Sequence, residues 1–190
     1  MFIQTEQTPN PATLKFLPGR EVMANGTAEF TDADDARRLS PLAARVFDVD
    51  GVRGVYLGSD FVSVTKAEGQ EWHLLKPVVL GAIMEHYLTG EPAVHAAALL
   101  AERGDAPGGA APEDDEAVKR IKELLDTRVR PAVAQDGGDI TFYGFERGVV
   151  YLNMQGACSG CPSSVVTLKN GIENLLRYYV PEVVEVRAVS

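Results

Sequence analysis

The chain has 190 residues, enough for one large domain or two small ones, and its 45% hydrophobic and 24% charged residues exclude a generally disordered polymer. Its 27 acidic and 18 basic side chains leave a formal net charge of -9, which repels phosphate backbones and anionic bilayer surfaces, so neither nucleic acid nor a membrane is expected as a partner. No apolar run approaches the roughly 20 residues that span a bilayer, and MFIQTEQTPNPATLKF lacks the basic and apolar regions of a signal peptide. A cytosolic location is the expectation, with a processed organellar protein as the alternative.

In chain order, the alternating segments 2–8 and 13–17, parted by Pro9-Asn10-Pro11, predict two short strands. Ala36, Leu39, Ala43, Val46 and Phe47 recur at helical spacing, with Pro41 expected to kink or shorten the element. The runs 54–57 and 61–66 flank Gly58-Ser59-Asp60 as a hairpin, and Trp72, Leu75, Val79, Ile83 and Tyr87 predict a second helix. The stretch 101–115, AERGDAPGGAAPEDD, loses every apolar period and reads as a linker. It divides the chain into a first domain at 1–100 and a second at 116–190. With 15 acidic and 9 basic residues in 1–112, and 12 and 9 in 113–190, neither half is a basic arm.

The second half opens on a helix with Val118, Ile121, Leu125 and Val129 on one face, perturbed at Pro131, and turns at Gly137-Gly138. Segments 140–145 and 149–155 predict antiparallel strands about Arg147-Gly148. Val165, Leu168, Ile172, Leu175 and Tyr179 then mark an amphipathic helix ended by Pro181, and 183–189 reads as a closing strand. The expected fold class is α+β: two small α/β-sandwich-like domains joined by a flexible linker.

The two cysteines, Cys158 and Cys161, are too few for the disulfide framework of a secreted domain. They lie between the end of a strand and the start of a helix. Pro162 suits a first helical position, which makes Cys161 a candidate cap and turns the amides of the first turn toward the sulfurs, favouring thiolates. Gly156 and Gly160 remove bulk beside the sulfurs and permit left-handed torsions. Four readings fit a CxxC loop: structural thiols, a dithiol-disulfide oxidoreductase, zinc, or an iron-sulfur cluster. The oxidoreductase reading is opposed by flanking elements that look like a hairpin and not a parallel βαβ unit. Zinc and clusters need about four ligands. His73, His86 and His95 all precede the linker, and the first two sit at helical spacing as partly exposed or packed side chains. Two chains meeting at their CxxC loops would supply four thiolates, the set a [4Fe-4S] or [2Fe-2S] cluster takes.

The remaining polar features have simpler readings. Asp136 and Asp139, beside two glycines, shape a turn and cap a strand. The acidic run 113–116 favours a helix start. Tyr178 and Tyr179 read as helix packing. No catalytic acid, base or nucleophile is assigned.

Taken together, Arg130-Pro131, Asp136-Gly137-Gly138-Asp139, the segment GACSGCPSS from Gly156 to Ser164, and Thr167-Leu168-Lys169-Asn170-Gly171-Ile172-Glu173 resemble the Nfu proteins, whose C-terminal part is similar to that of NifU. Gln4-Thr5-Glu6-Gln7-Thr8-Pro9-Asn10-Pro11 with Leu14-Lys15-Phe16, and Pro77 further on, resemble the Nfu N-terminal domain. The resemblance implies a carrier and not an enzyme. It implies a homodimer with a [4Fe-4S] cluster bridged between CxxC motifs, taken from an upstream scaffold and passed to client apoproteins. Cys158 and Cys161 match the ligand positions; the arrangement resembles alphaproteobacterial and mitochondrial members, and the missing targeting segment favours the bacterial cytoplasm over the mitochondrial matrix. A thiol-disulfide oxidoreductase and a zinc-bridged structural dimer are the rivals.

Overall fold

The computed structural model describes residues 2–103, 116–159 and 162–189, for 100–103 and 162–164 the backbone alone. The chain divides into two compact units, Met1–Ala106 and Pro107–Ser190. Residues 104–115, most of the stretch expected as linker, lie outside the described residues.

The first unit is built on five strands: β1 (Gln4–Gln7), β2 (Thr13–Leu17), β3 (Ala28–Phe30), β4 (Val52–Leu57) and β5 (Val62–Lys66). They pair antiparallel in the order β1-β2-β5-β4-β3, so β1 and β3 are the edges. The helices are α1 (Ala33–Leu39), α2 (Pro41–Phe47), α3 (Trp72–Thr89) and α4 (Ala96–Arg103). Phe16, Leu57 and Val64 of the sheet pack with Leu42 and Val46 of α2 and Val79 and Ile83 of α3 in one core. Each such fully buried apolar side chain contributes about 1.5–3 kcal/mol.

Pro41 does not kink a helix; it starts one. Ser40 ends α1 through its backbone N–H to the Ala36 carbonyl, and its Oγ accepts from the Ala43 amide at 3.0 Å to cap α2. A proline at the first position has no amide to leave unsatisfied. Strand β3 has three residues, too few for a readable alternation, and α4 occupies the first residues of the expected linker.

The second unit runs α5 (Glu116–Leu124), a π-helical segment (Leu125–Val129), α6 (Arg130–Gln135), β6 (Gly138–Glu146), β7 (Val149–Gly156), α7 (Pro162–Tyr179) and β8 (Glu185–Val189). The helix passes through Pro131 by widening just before it: the Arg130 amide reaches back five residues to the Leu125 carbonyl. Widening relieves the clash of the proline ring with the preceding turn. β6 and β7 are joined by Arg147-Gly148, both at positive φ (51° and 80°), between the paired Glu146 and Val149. The sheet order is β6-β7-β8. Ile121, Leu125, Ile140, Leu152, Leu176 and Val186 are fully buried between sheet and helices.

The elements flanking the cysteine loop differ from the expected hairpin. β7 and β8 are parallel, and α7 is the crossover between them, so the cysteine loop does sit at the strand-to-helix junction of a parallel βαβ unit. The hairpin β6–β7 precedes that unit and masks it in the sequence.

Candidate metal centre

β7 delivers the chain to the cysteine loop at Gly156, whose φ of 64° is the left-handed torsion anticipated for it. A tight turn follows: the Ser159 amide donates to the Gly156 carbonyl at 3.1 Å, and Ser159 Oγ donates to the same oxygen at 2.9 Å. The Ala157 amide donates to the Gly137 carbonyl at 3.2 Å, tying the loop to the start of β6. Cys158 therefore lies on a turn held at both sides. It is 6% exposed and packs in the second unit's apolar cluster. Helix α7 begins at Pro162, with its amino-terminal end on the loop side. Cys161 and Gly160 lie outside the described residues.

Gly138 lies against the sulfur. A Cβ there would lie 2.5 Å from Cys158 Sγ and 2.8 Å from the Gln155 carbonyl oxygen, so only a hydrogen fits. The sequence shows Gly137-Gly138 as a turn, but the turn uses only Gly137, at φ 79°. The second glycine serves the cysteine. A pair of glycines where one suffices was the available signal.

Asp139 follows, 3% exposed, and its role differs from the expected turn and strand cap. Its two carboxylate oxygens accept from Arg130 Nε and a terminal guanidinium nitrogen, both at 2.9 Å, and one also accepts from the Ile140 amide at 2.8 Å. This fork-to-fork pair holds the Arg130 guanidinium well above its ordinary pKa, chiefly through the Asp139 hydrogen bonds. Arg130 also reaches Asp126 at 3.2 Å. The pair pins α6 to the first residues of β6, next to Gly138. Asp136 ends α6 as its C-cap.

The other candidates lie elsewhere. His73 and His95 are exposed, and His86 is fully buried in the first unit. Tyr178 and Tyr179 are 80% and 39% exposed, so neither is packed in the core, a correction to their expected role; their rings meet edge-on at 4.9 Å, and Arg128 stacks on Tyr179. Glu116 is in the first turn of α5, while 113–115 lie outside the described residues. Among the described residues, no three His, Cys, Asp or Glu side chains are grouped to hold a metal ion. No described helix is long and apolar enough to cross a membrane.

The fold and loop define a protein of two α+β units, the second a cysteine-loop domain of the NifU-like class. Family comparison agrees: "Scaffold protein Nfu/NifU N terminal" matches residues 3–90 and "NifU-like domain" matches residues 121–187. The chain belongs to the Nfu family. Among curated relatives, the protein named "NFU1 iron-sulfur cluster scaffold homolog, mitochondrial" is 51% identical in Drosophila virilis over 100% of this chain and 62% of its own length. Its namesake in Drosophila erecta is 53% identical over 100% of this chain and 65% of its own length. The chain thus spans under two thirds of these relatives. A solution NMR structure of a NifU-like protein from Saccharomyces cerevisiae is 25% identical, covers 50% of this chain and 85% of its own, and has a TM-score of 0.45. The relatives' mitochondrial names overturn the expectation of a bacterial cytoplasmic location.

Proposed function

We propose that the protein is an iron-sulfur cluster carrier: Cys158 and Cys161 from each of two chains hold a [4Fe-4S] cluster as cargo, received from a scaffold and passed to client apoproteins. The observation that carries this reading is the placement of Cys158, on a turn clamped to Gly137 and seated over Gly138, at the amino-terminal side of α7. Gly138 lets the sulfur seat directly against the backbone, and the helix end favours thiolate. One chain has two cysteines, and four thiolates are the usual cluster set, so a pair of chains supplies them. Relatives named as iron-sulfur cluster scaffold homologues support the same cargo. A cluster split between subunits is released when they part, which suits transfer. The chain acts here by binding and release, not by catalysis.

A second reading, thiol-disulfide exchange, gains from the parallel β7–α7–β8 crossover with cysteines at its first junction. Anaerobic reconstitution followed by iron, sulfide and protein quantitation separates the two. The carrier binds iron and sulfide in equal amounts as a dimer, loses both in Cys158→Ala and Cys161→Ala, and has no insulin-reductase activity. Iron retained in full by both variants, or by a strictly monomeric holoprotein, refutes the shared site. Zinc retained in a colourless dimer points to the structural alternative.

A further inference from the structure

The first unit carries a cleft of about 510 Å3 between the inner face of β1, the turn from Thr8 to Thr13, and the first turns of α3. Thr5 and Gln7 face it from the strand; Trp72, His73 and Lys76 face it from the helix. Its wall is already ordered. Trp72 Nε1 donates to the Pro11 carbonyl at 3.0 Å, Thr8 Oγ1 to the Thr13 carbonyl at 2.9 Å, and Asn10 Oδ1 accepts from the Ala12 amide at 3.0 Å.

Two properties point to an occupant. First, β1 ends the sheet, and among the described residues nothing pairs with its outer edge. Its residues are mostly exposed, and no proline, lysine or bulge within Gln4–Gln7 blocks strand addition. Second, the charge of the cleft opposes that of the chain. The protein carries -9, yet no Asp or Glu lines the cleft among the described residues, while Lys76 and His73 do. Glu6, the acid on β1, alternates away from Thr5 and Gln7 and pairs with Lys15 at 3.6 Å.

We propose that this cleft takes an extended segment of a partner protein, laid against the free edge of β1, with a carboxylate side chain of that segment on Lys76 and His73. The strand edge supplies main-chain hydrogen bonds, Trp72 and the prolines an apolar wall, and Lys76 the preference for an acid. Because the wall is formed beforehand, little ordering cost is added on binding. On a chain whose net charge repels acids, the local cation Lys76 in a cleft lined by no Asp or Glu among the described residues is what favours an acidic segment here. The site deepens the carrier reading by giving the first unit a way to hold a donor or client. Peptide binding is measured without a cluster, so it and cluster binding fail independently.

The test uses the full apo chain and a library of eight-residue peptides with Glu or Asp fixed at the centre, beside the same library with Gln or Asn. Trp72 is the single tryptophan, so its emission reports the cleft wall. The acidic library is expected to return peptides that shift this emission. Lys76→Glu weakens them roughly tenfold or more, and Lys76→Arg retains them. A peptide with Lys in place of the central acid recovers affinity for Lys76→Glu, and matched thermal unfolding of both variants separates binding from folding. Failure to select any peptide, equal selection from the neutral library, or unchanged binding to Lys76→Glu overturns the proposal. So does an equal shift with free glutarate at the same concentration, which assigns a small carboxylate, or a shift on raising protein concentration alone, which assigns a second copy.

Discussion

Gly138 and Cys158 are fitted to each other: a methyl group at Gly138 would stand 2.5 Å from the cysteine sulfur and 3.0 Å from its amide nitrogen. Both the sulfur and the backbone around it would have to shift. Gly138→Ala is therefore expected to destabilise the second unit by about 1–3 kcal/mol, the usual cost of overpacking, and to lower the iron held after reconstitution. Urea denaturation of the full chain checks the first effect and iron quantitation the second. Gly144→Ala is the control, since a Cβ there meets nothing within 4 Å. Equal behaviour of the two variants would remove Gly138 from the site.

The Arg130–Asp139 pair is asymmetric, and the asymmetry has a measurable sign. The Asp139 side chain is 5% exposed, that of Arg130 37%. Removing the arginine leaves an enclosed carboxylate without its cation, held by the Ile140 amide; removing the aspartate leaves a guanidinium that still reaches water and Asp126. After allowance for this solvent access, Arg130→Ala is expected to cost about 3 kcal/mol and Asp139→Ala about half as much. A double-mutant cycle by chemical denaturation reads the coupling. Equal losses in the two single variants would contradict this.

His86 makes the first unit sensitive to acid. Both ring nitrogens are buried without a hydrogen-bond partner, and burial, then the charge of Arg45, push its pKa below the ordinary 6.5. Below about 6.5 the unfolded chain takes up a proton that the folded chain refuses, so stability from this group is full above that pH and declines as pH falls toward the lowered folded value. Thermal unfolding from pH 7.5 to 5 should show this decline, with a flatter profile in His86→Phe. The phenyl ring leaves no orphaned polar atom, so the variant is expected to be at least as stable as the parent at pH 5. Parallel pH profiles for the two proteins would exclude His86 as the cause.

Arg147 is the non-glycine residue at positive φ among the described residues, at 51° in the two-residue turn joining β6 and β7. Such turns favour Asn-Gly, and the contact of Arg147 with Glu146 at 3.9 Å is exposed and adds little. Arg147→Asn is expected to stabilise the second unit by about 0.5 kcal/mol, visible as a higher urea midpoint at unchanged slope. A lower midpoint would mean that the arginine makes a contribution other than its backbone torsion.

Most elements were legible in the sequence because their signals are local. The alternation of Val150, Leu152 and Met154 and the helical steps from Val165 to Leu175 each follow from one face turned to the core. The places where sequence reasoning fell short have identifiable causes. The shortening expected at Pro41 holds and the kink does not, because a proline in a helical pattern looks the same whether it breaks one helix or starts the next; Ser40, capping both sides, decides it. Tyr178 and Tyr179 read as packing because aromatic side chains at the end of an amphipathic helix commonly pack, but both lie at the exposed last turn, where their rings meet each other and Arg128 and not the core.

The sequence by itself determined the placing of Cys158 and Cys161 between a strand and a helix, the glycine torsion at Gly156, the family resemblance and most of the strands and helices, because residue type, spacing and local torsion are written along the chain. Tertiary structure alone decided that β8 returns parallel to β7, that Gly138 lies under the Cys158 sulfur, and that Arg130 closes on Asp139. Each of these joins segments whose contact depends on how the sheet twists and the helices cross. Such contacts carry no periodic signature, so the residues that make them remain unremarkable until the chain has folded.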